Sequence, residues 1–363
     1  MEAASRRTRG RHRNGVARVR IRASNAGLSA HVEMRMPPGK SVVNNHYFHK
    51  NYFAKLARVF AKEMTTMKFP KAMLMVAALS TFAGGAIAQE TGTLKKIKDT
   101  GVIALGHRES SIPFSYYDQN QQVVGYSRDF QMKVVDAVKK KLNLPNLQVK
   151  NIPVTSQNRI PLVQNGTVDI ECGSTTNNLD RQKQAAFSDT IFVIGTRLMT
   201  KKDSGIKDFA DLKGKTVVTT AGTTSERLLR EMNNKNQMGM SIISAKDHGE
   251  SFQTLETGRA VAFMMDDALL AGERAKAKQP GEWVIVGKPQ SQEAYGCMMR
   301  KDDPAFKKVV DDAIVQVEKS GEAAKIYSKW FENPIPPKGL NLNFPLSDEM
   351  KKLYANPNDK ALD

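Results

Sequence analysis

The chain has 363 residues, two cysteines, an apolar share of 40% and a formal net charge of +18. That length allows two domains plus extensions, and that apolar share is enough to bury a core. Residues 1–66 carry 14 Lys or Arg against three acids, and Lys68 and Lys71 follow, so +13 lies before Gln89 and only +5 after it, which excludes a strongly basic folded part.

Residues 1–66 lack apolar periodicity and hold Arg6, Arg7, Arg9, Arg11, Arg13, Arg18, Arg20 and Arg22. Such a run reads as disorder or as a nucleic-acid arm. Met67-Lys-Phe-Pro-Lys then begins a secretory signal, with an apolar stretch from Ala72 to Phe82 and a small-x-small cleavage site at Ala86-Ile-Ala88. Signals stand at a true N-terminus, so residues 1–66 are read as a non-native or disordered Arg-rich extension and 67–88 as the cleaved leader. The destination is the periplasm. No cysteine follows the leader, so no lipid anchor is expected, and the apolar run is too short to span a membrane.

From Gln89 onward strands and helices alternate, which predicts a mostly parallel α/β arrangement. Leu94 to Asp99 is a helix, Val102 to Leu105 a strand, and Ile112 to Tyr117 with Gly125-Tyr126 a hairpin. Asp129 to Leu142 is a helix, Leu147 to Pro153 a strand and Arg159 to Gln164 a helix. Val168 to Cys172 is a strand, and Asp180-Arg181 opens a helical run through Ala186. Phe192 to Thr200 reads as one long extended crossing into a second lobe. That lobe repeats the scheme: strands at Thr216 to Thr219, Ile242-Ile243, Ala260 to Met265 and Val284 to Val286, and helices ending near Asn234, Thr257 and Lys278. Glu293 to Met299 crosses back. Pro304 to Ser320 and Glu322 to Phe331 are helices, and the proline-rich tail from Asn333 wraps the surface. The expected division is 89–195 plus 294–363 for lobe 1 and 196–293 for lobe 2.

The chemistry concentrates after Asn165-Gly166. A short apolar strand ends in Gly173, Ser174, Thr175, Thr176, Asn177 and Asn178, followed by Asp180-Arg181. Small polar residues at a strand end leave amides and hydroxyls free, and in an open α/β sheet ligands bind there. Helix amides beside an arginine fork present parallel N–H donors that suit a carboxylate. The plainer alternative is an ordinary strand, loop and helix, with Asp180 as cap and Arg181 in solvent.

The run G-x-x-D…G-S-T-T-x-x-x-x-R-x-x-x-A-A-F-S resembles the signature of periplasmic amino-acid binding proteins. Together with Gly106-His-Arg-Glu-Ser-Ser, Thr155-Ser-Gln-Asn-Arg-Ile-Pro-Leu, Ser244-Ala-Lys-Asp-His-Gly and Ala262-Phe-Met-Met-Asp-Asp, it is similar to solute-binding proteins of family 3 that serve polar amino-acid ABC importers, the glutamate/aspartate-binding group above all. The resemblance covers about Leu94 to Asp363. It implies a two-lobe type II (Venus-flytrap) α/β fold with two crossover strands as hinge. It also implies reversible capture of L-glutamate or L-aspartate, membrane permease subunits as partners, and a monomer with no cofactor and no metal. Arg181, with Thr176 and Thr224, would hold the α-carboxylate. Arg108, Ser156, Arg159 and His248 would surround the side-chain carboxylate, and Asp266 with Ser174 would meet the ammonium. Arg108, Ser156, Arg159 and His248 are donor-bearing types, as an acceptor-only ligand group requires.

Cys172 and Cys297 each lie in a short extended run beside a glycine, in what would be the same lobe. An exported chain with an even count admits one disulfide, and two buried thiols are the alternative. The sequence has no G-x-S-x-G, H-E-x-x-H, Walker loop, CxxC or G-x-G-x-x-G. Two other readings stay open. One is a binder of another polar amino acid. The other is an enzyme on this scaffold, like the dehydratases of aromatic amino-acid synthesis, with Glu109 or Glu171 as general acid.

Overall fold

A computed structural model of the chain describes residues 16–22, 29–35 and 92–362. The chain divides into two compact units, Met1–Ala88 and Gln89–Asp363. In the first, β1 (Val16–Arg22) runs antiparallel to β2 (Ser29–Arg35), with Val19 opposite Val32. The expected leader, 67–88, lies outside the described residues.

The second unit opens with α1 (Gly92–Thr100) and β3 (Val102–His107). A small antiparallel sheet follows, made of β4 (Ser110–Ser111), β5 (Ser115–Tyr117) and β6 (Val123–Val124). Then come α2 (Tyr126–Leu142), β7 (Gln148–Pro153), α3 (Arg159–Gln164), β8 (Ile170–Glu171), β9 (Thr176–Asn177), the single turn α4 (Leu179–Gln182) and β10 (Ala186–Ile194). The second sheet is built from β11 (Thr196–Lys201), β12 (Thr216–Thr220), β13 (Ser241–Ala245), β14 (Ala262–Asp266) and β15 (Trp283–Val286). Its helices are α5 (Thr224–Lys235), α6 (His248–Glu256) and α7 (Asp267–Lys276). The chain returns to the first sheet through β16 (Glu293–Met299) and closes with α8 (Pro304–Lys319), α9 (Glu322–Tyr327) and α10 (Asp348–Ala355).

Both sheets are mixed rather than mostly parallel. In the first, β3 lies parallel to β7 and β8, whereas β16 runs antiparallel to β8, β9 and β10. In the second, β12 is parallel to β13 and β14, while β11 is antiparallel to β14 and β15. The antiparallel pairs are those made by crossing strands. A chain arriving from the other lobe meets the strand ends head-on, so it cannot join in parallel.

Three local expectations change. The helical run after Asp180 is one turn: the Asn178 side chain caps its start, accepting from the Arg181 N–H at 2.9 Å, and the Gln184 and Ala185 amides close its end on the Arg181 carbonyl. Ala186 onward then gains more by pairing with β16 than by continuing as helix. The first crossing is two strands broken at Gly195. The tail does more than wrap the surface: it forms α10, buries Met350, Leu353 and Tyr354, and joins the hydroxyls of Tyr354 and Tyr126 at 2.8 Å.

The first sheet rests on an aromatic core in which Phe192 stacks on Phe331 and meets Phe114 edge-on, each at 4.9 Å between centroids. Phe114 lies beside β5, so this contact fixes the small hairpin sheet over β16 and β10. Cys172 and Cys297 form a disulfide that joins the end of β8 to β16, 125 residues apart in sequence. In a chain-entropy picture a loop of that length stabilises by roughly 4–5 kcal/mol. Among the described residues no helix is long and apolar enough to cross a membrane.

Candidate functional site

Three arginines are buried between the sheets. Arg108 follows β3, Arg159 opens α3 and Arg181 lies in α4, with 1%, 2% and 8% exposure. Arginines at such depth are rare unless paired, yet among the described residues none of the three forms an ion pair with a protein carboxylate within 4 Å. Carbonyls hold Arg159 and Arg181 instead. Arg159 donates to the Ser174 carbonyl at 3.0 Å and to the Thr175 hydroxyl. Arg181 donates to the Thr176 carbonyl at 2.9 Å and, across to the second lobe, to the Gly222 carbonyl at 3.3 Å.

Burial, and then the nearby Arg159, pull Arg108 down to about 10 and Arg181 to about 9. Both therefore stay charged at neutral pH. Burial lowers Arg159 as well, opposed first by Glu171. Glu171 is fully buried beneath this group and accepts from the Thr175 hydroxyl at 2.5 Å.

Several buried polar atoms in this region have no hydrogen-bond partner among the described residues: Arg108 Nη1, Ser156 Oγ, Arg159 Nε and Ser174 Oγ, which can donate, together with His248 Nε2 and the acceptor Glu171 Oε1. A buried unsatisfied donor costs about 1–3 kcal/mol, so a cluster of them is unusual unless it serves something else. His248 opens α6, and its Nδ1 lies 2.9 Å from the Thr220 hydroxyl. Thr220 also meets the Ser251 hydroxyl at 2.8 Å, and the direction of the Thr220–Nδ1 contact sets which ring nitrogen carries the proton. Burial first, and then Arg108 and Arg159, hold the imidazole well below its ordinary range, so it is neutral.

The second lobe also brings α5. Thr223 caps it by accepting from the Glu226 N–H at 3.1 Å, and Thr224 is its first residue. First-turn amides have no intrahelical acceptor, and the helix dipole favours an anion there. This end of α5 lies beside Arg181 through the Gly222 contact.

Asp266 ends β14, 2% exposed, opposite Thr196 of the first crossing. Its side chain does not cap α7; the Asp267 carboxylate accepts from the Ala268 N–H at 2.7 Å instead. Asp266 accepts from the Tyr295 hydroxyl, from Ser225 at 3.1 Å and from Thr196 at 3.2 Å. Burial and then Glu293 push its pKa up to about 7.

The residues expected at the site from sequence gather around two buried carboxylates. Arg159 and Ser174 join Glu171 through Thr175. Thr176, Arg181, Thr224 and Asp266 join Glu293, the last through Thr196. The neighbours Thr175 and Thr176 link the two groups along the chain. Arg108 lies beside them against Gly173 and within the field of Glu171. His248 joins through its electrostatic contact with Arg108 and Arg159. Ser156 is buried, one residue from Gln157, which packs on Gly222. Asp180 stays outside, exposed and paired with Lys183 at 2.7 Å. Glu109 is exposed too.

Sequence reasoning missed Glu293, Thr196, Ser225 and Tyr295. The signal for Glu293 was there: a carboxylate at the head of a strand whose every other residue is apolar or glycine must find partners inside. Among the described residues no group of three or more His, Cys, Asp or Glu is placed to hold a metal ion.

The family model described as bacterial extracellular solute-binding proteins, family 3, matches residues 103–333. The chain is 69% identical over 302 residues to the glutamate/aspartate import solute-binding protein of Salmonella typhimurium, covering 82% of this chain and 100% of that one. It is 65% identical over 298 residues to the L-glutamate/L-aspartate-binding protein of Pseudomonas aeruginosa, covering 81% and 99%. Among solved structures, an ancestral amino acid-binding protein described as a precursor of cyclohexadienyl dehydratase superposes with a TM-score of 0.56 at 30% identity, covering 66% of this chain and 99% of that one.

Proposed function

The chain belongs to the bacterial extracellular solute-binding proteins of family 3, and from that premise we propose that it captures L-glutamate or L-aspartate between its two lobes and delivers it to the permease of an ABC importer. Its highly similar relatives are named as binding proteins rather than enzymes, and this chain likewise captures its ligand without turnover. The protein acts as a monomer in the periplasm, exported by a leader cleaved near Ala88. Lobe 1 comprises 89–195 and 294–363, and lobe 2 comprises 196–293.

The observation that carries this reading is the set of unpartnered buried polar atoms on Arg108, Ser156, Arg159 and His248. Donors left open on two buried arginines and a serine, with a neutral histidine beside the arginines, suit a ligand group that only accepts, and an ionised carboxylate is such a group. Arg181 and the start of α5 supply the α-carboxylate site, and Asp266 with Ser174 the ammonium site. Because the contacts come from both lobes, ligand binds the closed arrangement better and shifts the population toward it.

The test is calorimetry of the purified protein against the twenty amino acids. Glutamate and aspartate are expected to bind at least about tenfold more tightly than glutamine and asparagine, since an amide NH2 would set donor against donor. Equal affinity for glutamine would overturn the dicarboxylate assignment.

A further inference from the structure

Glu293 stands at the start of the second crossing, 3% exposed, and four hydroxyl groups converge on it. Thr176 of the first lobe reaches Oε2 at 2.5 Å, and Thr224 of the second lobe reaches the same oxygen at 2.7 Å. Ser291 reaches Oε1 at 2.8 Å and Thr196 of the first crossing at 3.2 Å. Hydroxyls fill most of the roughly four acceptor positions of this carboxylate, with the single Thr196 hydrogen shared between Glu293 and Asp266.

The consequence falls on the two threonines. A hydroxyl has one hydrogen, and in Thr176 and Thr224 that hydrogen is directed to Glu293 Oε2. Only lone pairs remain on the ligand side. Hydroxyls held in this sense cannot donate to the ligand α-carboxylate, which was the role expected of them from sequence. They can accept from an ammonium.

We infer that Glu293 is a positioning residue that fixes the Thr176 and Thr224 hydroxyls as acceptors, and so makes the site select an ammonium-bearing dicarboxylate over the same dicarboxylate without one. This rests on the dicarboxylic amino-acid reading proposed above. The α-carboxylate is left to Arg181, whose fork has donors beyond those on the Thr176 and Gly222 carbonyls, and to the first-turn amides of α5. Asp266 stands across Thr196 from Glu293, so the acceptors for the ammonium form one group spanning both crossings.

The experiment compares L-glutamate with glutarate, which keeps both carboxylates and lacks the ammonium, in the full-length protein and in Glu293→Gln. Calorimetry reads the tight ligand, and ligand-observed NMR reads glutarate into the millimolar range. The glutamine amide keeps the shape but donates from one of its two atoms, which turns one threonine round. Glutamate is expected to weaken by roughly 10- to 100-fold, the scale of a hydrogen bond to a charged group, while glutarate changes by less than about threefold. Thr224→Val, made separately because it keeps the hinge carboxylate in place and removes only one of its hydroxyl partners, is expected to narrow the same glutamate-to-glutarate ratio. Equal weakening of both ligands in Glu293→Gln would mean a merely structural hinge role and would overturn the inference, as would an unchanged ratio in Thr224→Val. Failure of the unaltered protein to bind glutamate at all would instead sink the functional reading on which it rests.

Discussion

The two lobes meet the ligand site with different materials. The first brings charge: Arg108, Arg159 and Arg181 with Glu171 beside them, Arg159 and Arg181 donating to carbonyls of their own lobe. The second brings glycines and a helix end. Gly222 packs against Gln157, Gly249 donates its N–H to the Ser110 hydroxyl at 3.3 Å, and Gly272 lies under the Ile112 carbonyl. The first lobe is also the one stapled by Cys172–Cys297. The contrast separates two tasks. On the proposed reading, fixed buried cations set what is recognised, and backbone-close glycine contacts set how nearly the second lobe can approach to complete the site.

The sharpest way to break that comparison is within the charged lobe. Arg181→Ala is expected to cost about 3–5 kcal/mol in affinity for every amino-acid ligand, since it leaves a buried α-carboxylate without its partner. Arg159→Ala is expected to weaken dicarboxylates most and to spare ligands with uncharged side chains. A calorimetric panel of amino acids on both variants checks it; parallel losses across the panel would merge the two roles.

The elements that surround the site are legible in the amino-acid sequence, and the reason is local. The strand at Val102, the helices at Asp129, Arg159 and Asp247, and the return strand at Glu293 each carry their own periodicity, cap or apolar run, and the observed spans agree within a few residues. Arg108, Arg159 and Arg181 are likewise legible, because three arginines at strand and helix ends match the strand-end position of ligand sites. The features that stay hidden in the sequence are decided at a distance. Ala186 begins a strand because β16, more than a hundred residues on, offers it a partner. The tail helix at Asp348 depends on Tyr126. Glu293 reads as a residue of a crossing strand until four hydroxyls, three of them from distant segments, are seen to close on it.

The second lobe is tested by Gly272→Ala. A Cβ built there would lie 2.2 Å from the Ile112 carbonyl oxygen, and that backbone cannot move aside as a side chain would. The glycine sits inside α7, where alanine would otherwise stabilise the helix by about 1 kcal/mol. The expected result is therefore opposed: the ligand-free protein gains up to about 1 kcal/mol in thermal unfolding, while glutamate affinity falls by about 1–3 kcal/mol as closure is blocked. Solution scattering at saturation should show a larger radius of gyration than for the unaltered protein. Undiminished affinity together with full compaction would show that this seam does not govern closure.

The smallest effect tests the junction of the two lobes, at Asp266. Burial and the Glu293 carboxylate raise its pKa to about 7, against the pull of the Tyr295 and Ser225 hydroxyls, with Asp267 adding a further upward push. A carboxyl raised on folding contributes stability that is complete below its unfolded value, near 4, and that is lost as the pH climbs through about 7. Ligand acts in the opposite sense. An ammonium favours the ionised carboxylate, so binding near neutrality must expel the proton. At pH 7 about half the molecules carry it, which weakens binding by only about 0.4 kcal/mol relative to the fully ionised carboxylate, and the penalty steepens toward about 1.4 kcal/mol per unit below pH 6. Neutral His248 adds no compensating uptake, because burial, with Arg108 and Arg159, keeps it unprotonated. Calorimetry in two buffers of different ionisation enthalpy should thus register release of about half a proton per glutamate at pH 7, more at pH 6 and little at pH 8. In Asp266→Asn the release should vanish at every pH along with part of the affinity. Proton release that persists in that variant would place the titrating group elsewhere and would remove Asp266 from the ammonium site.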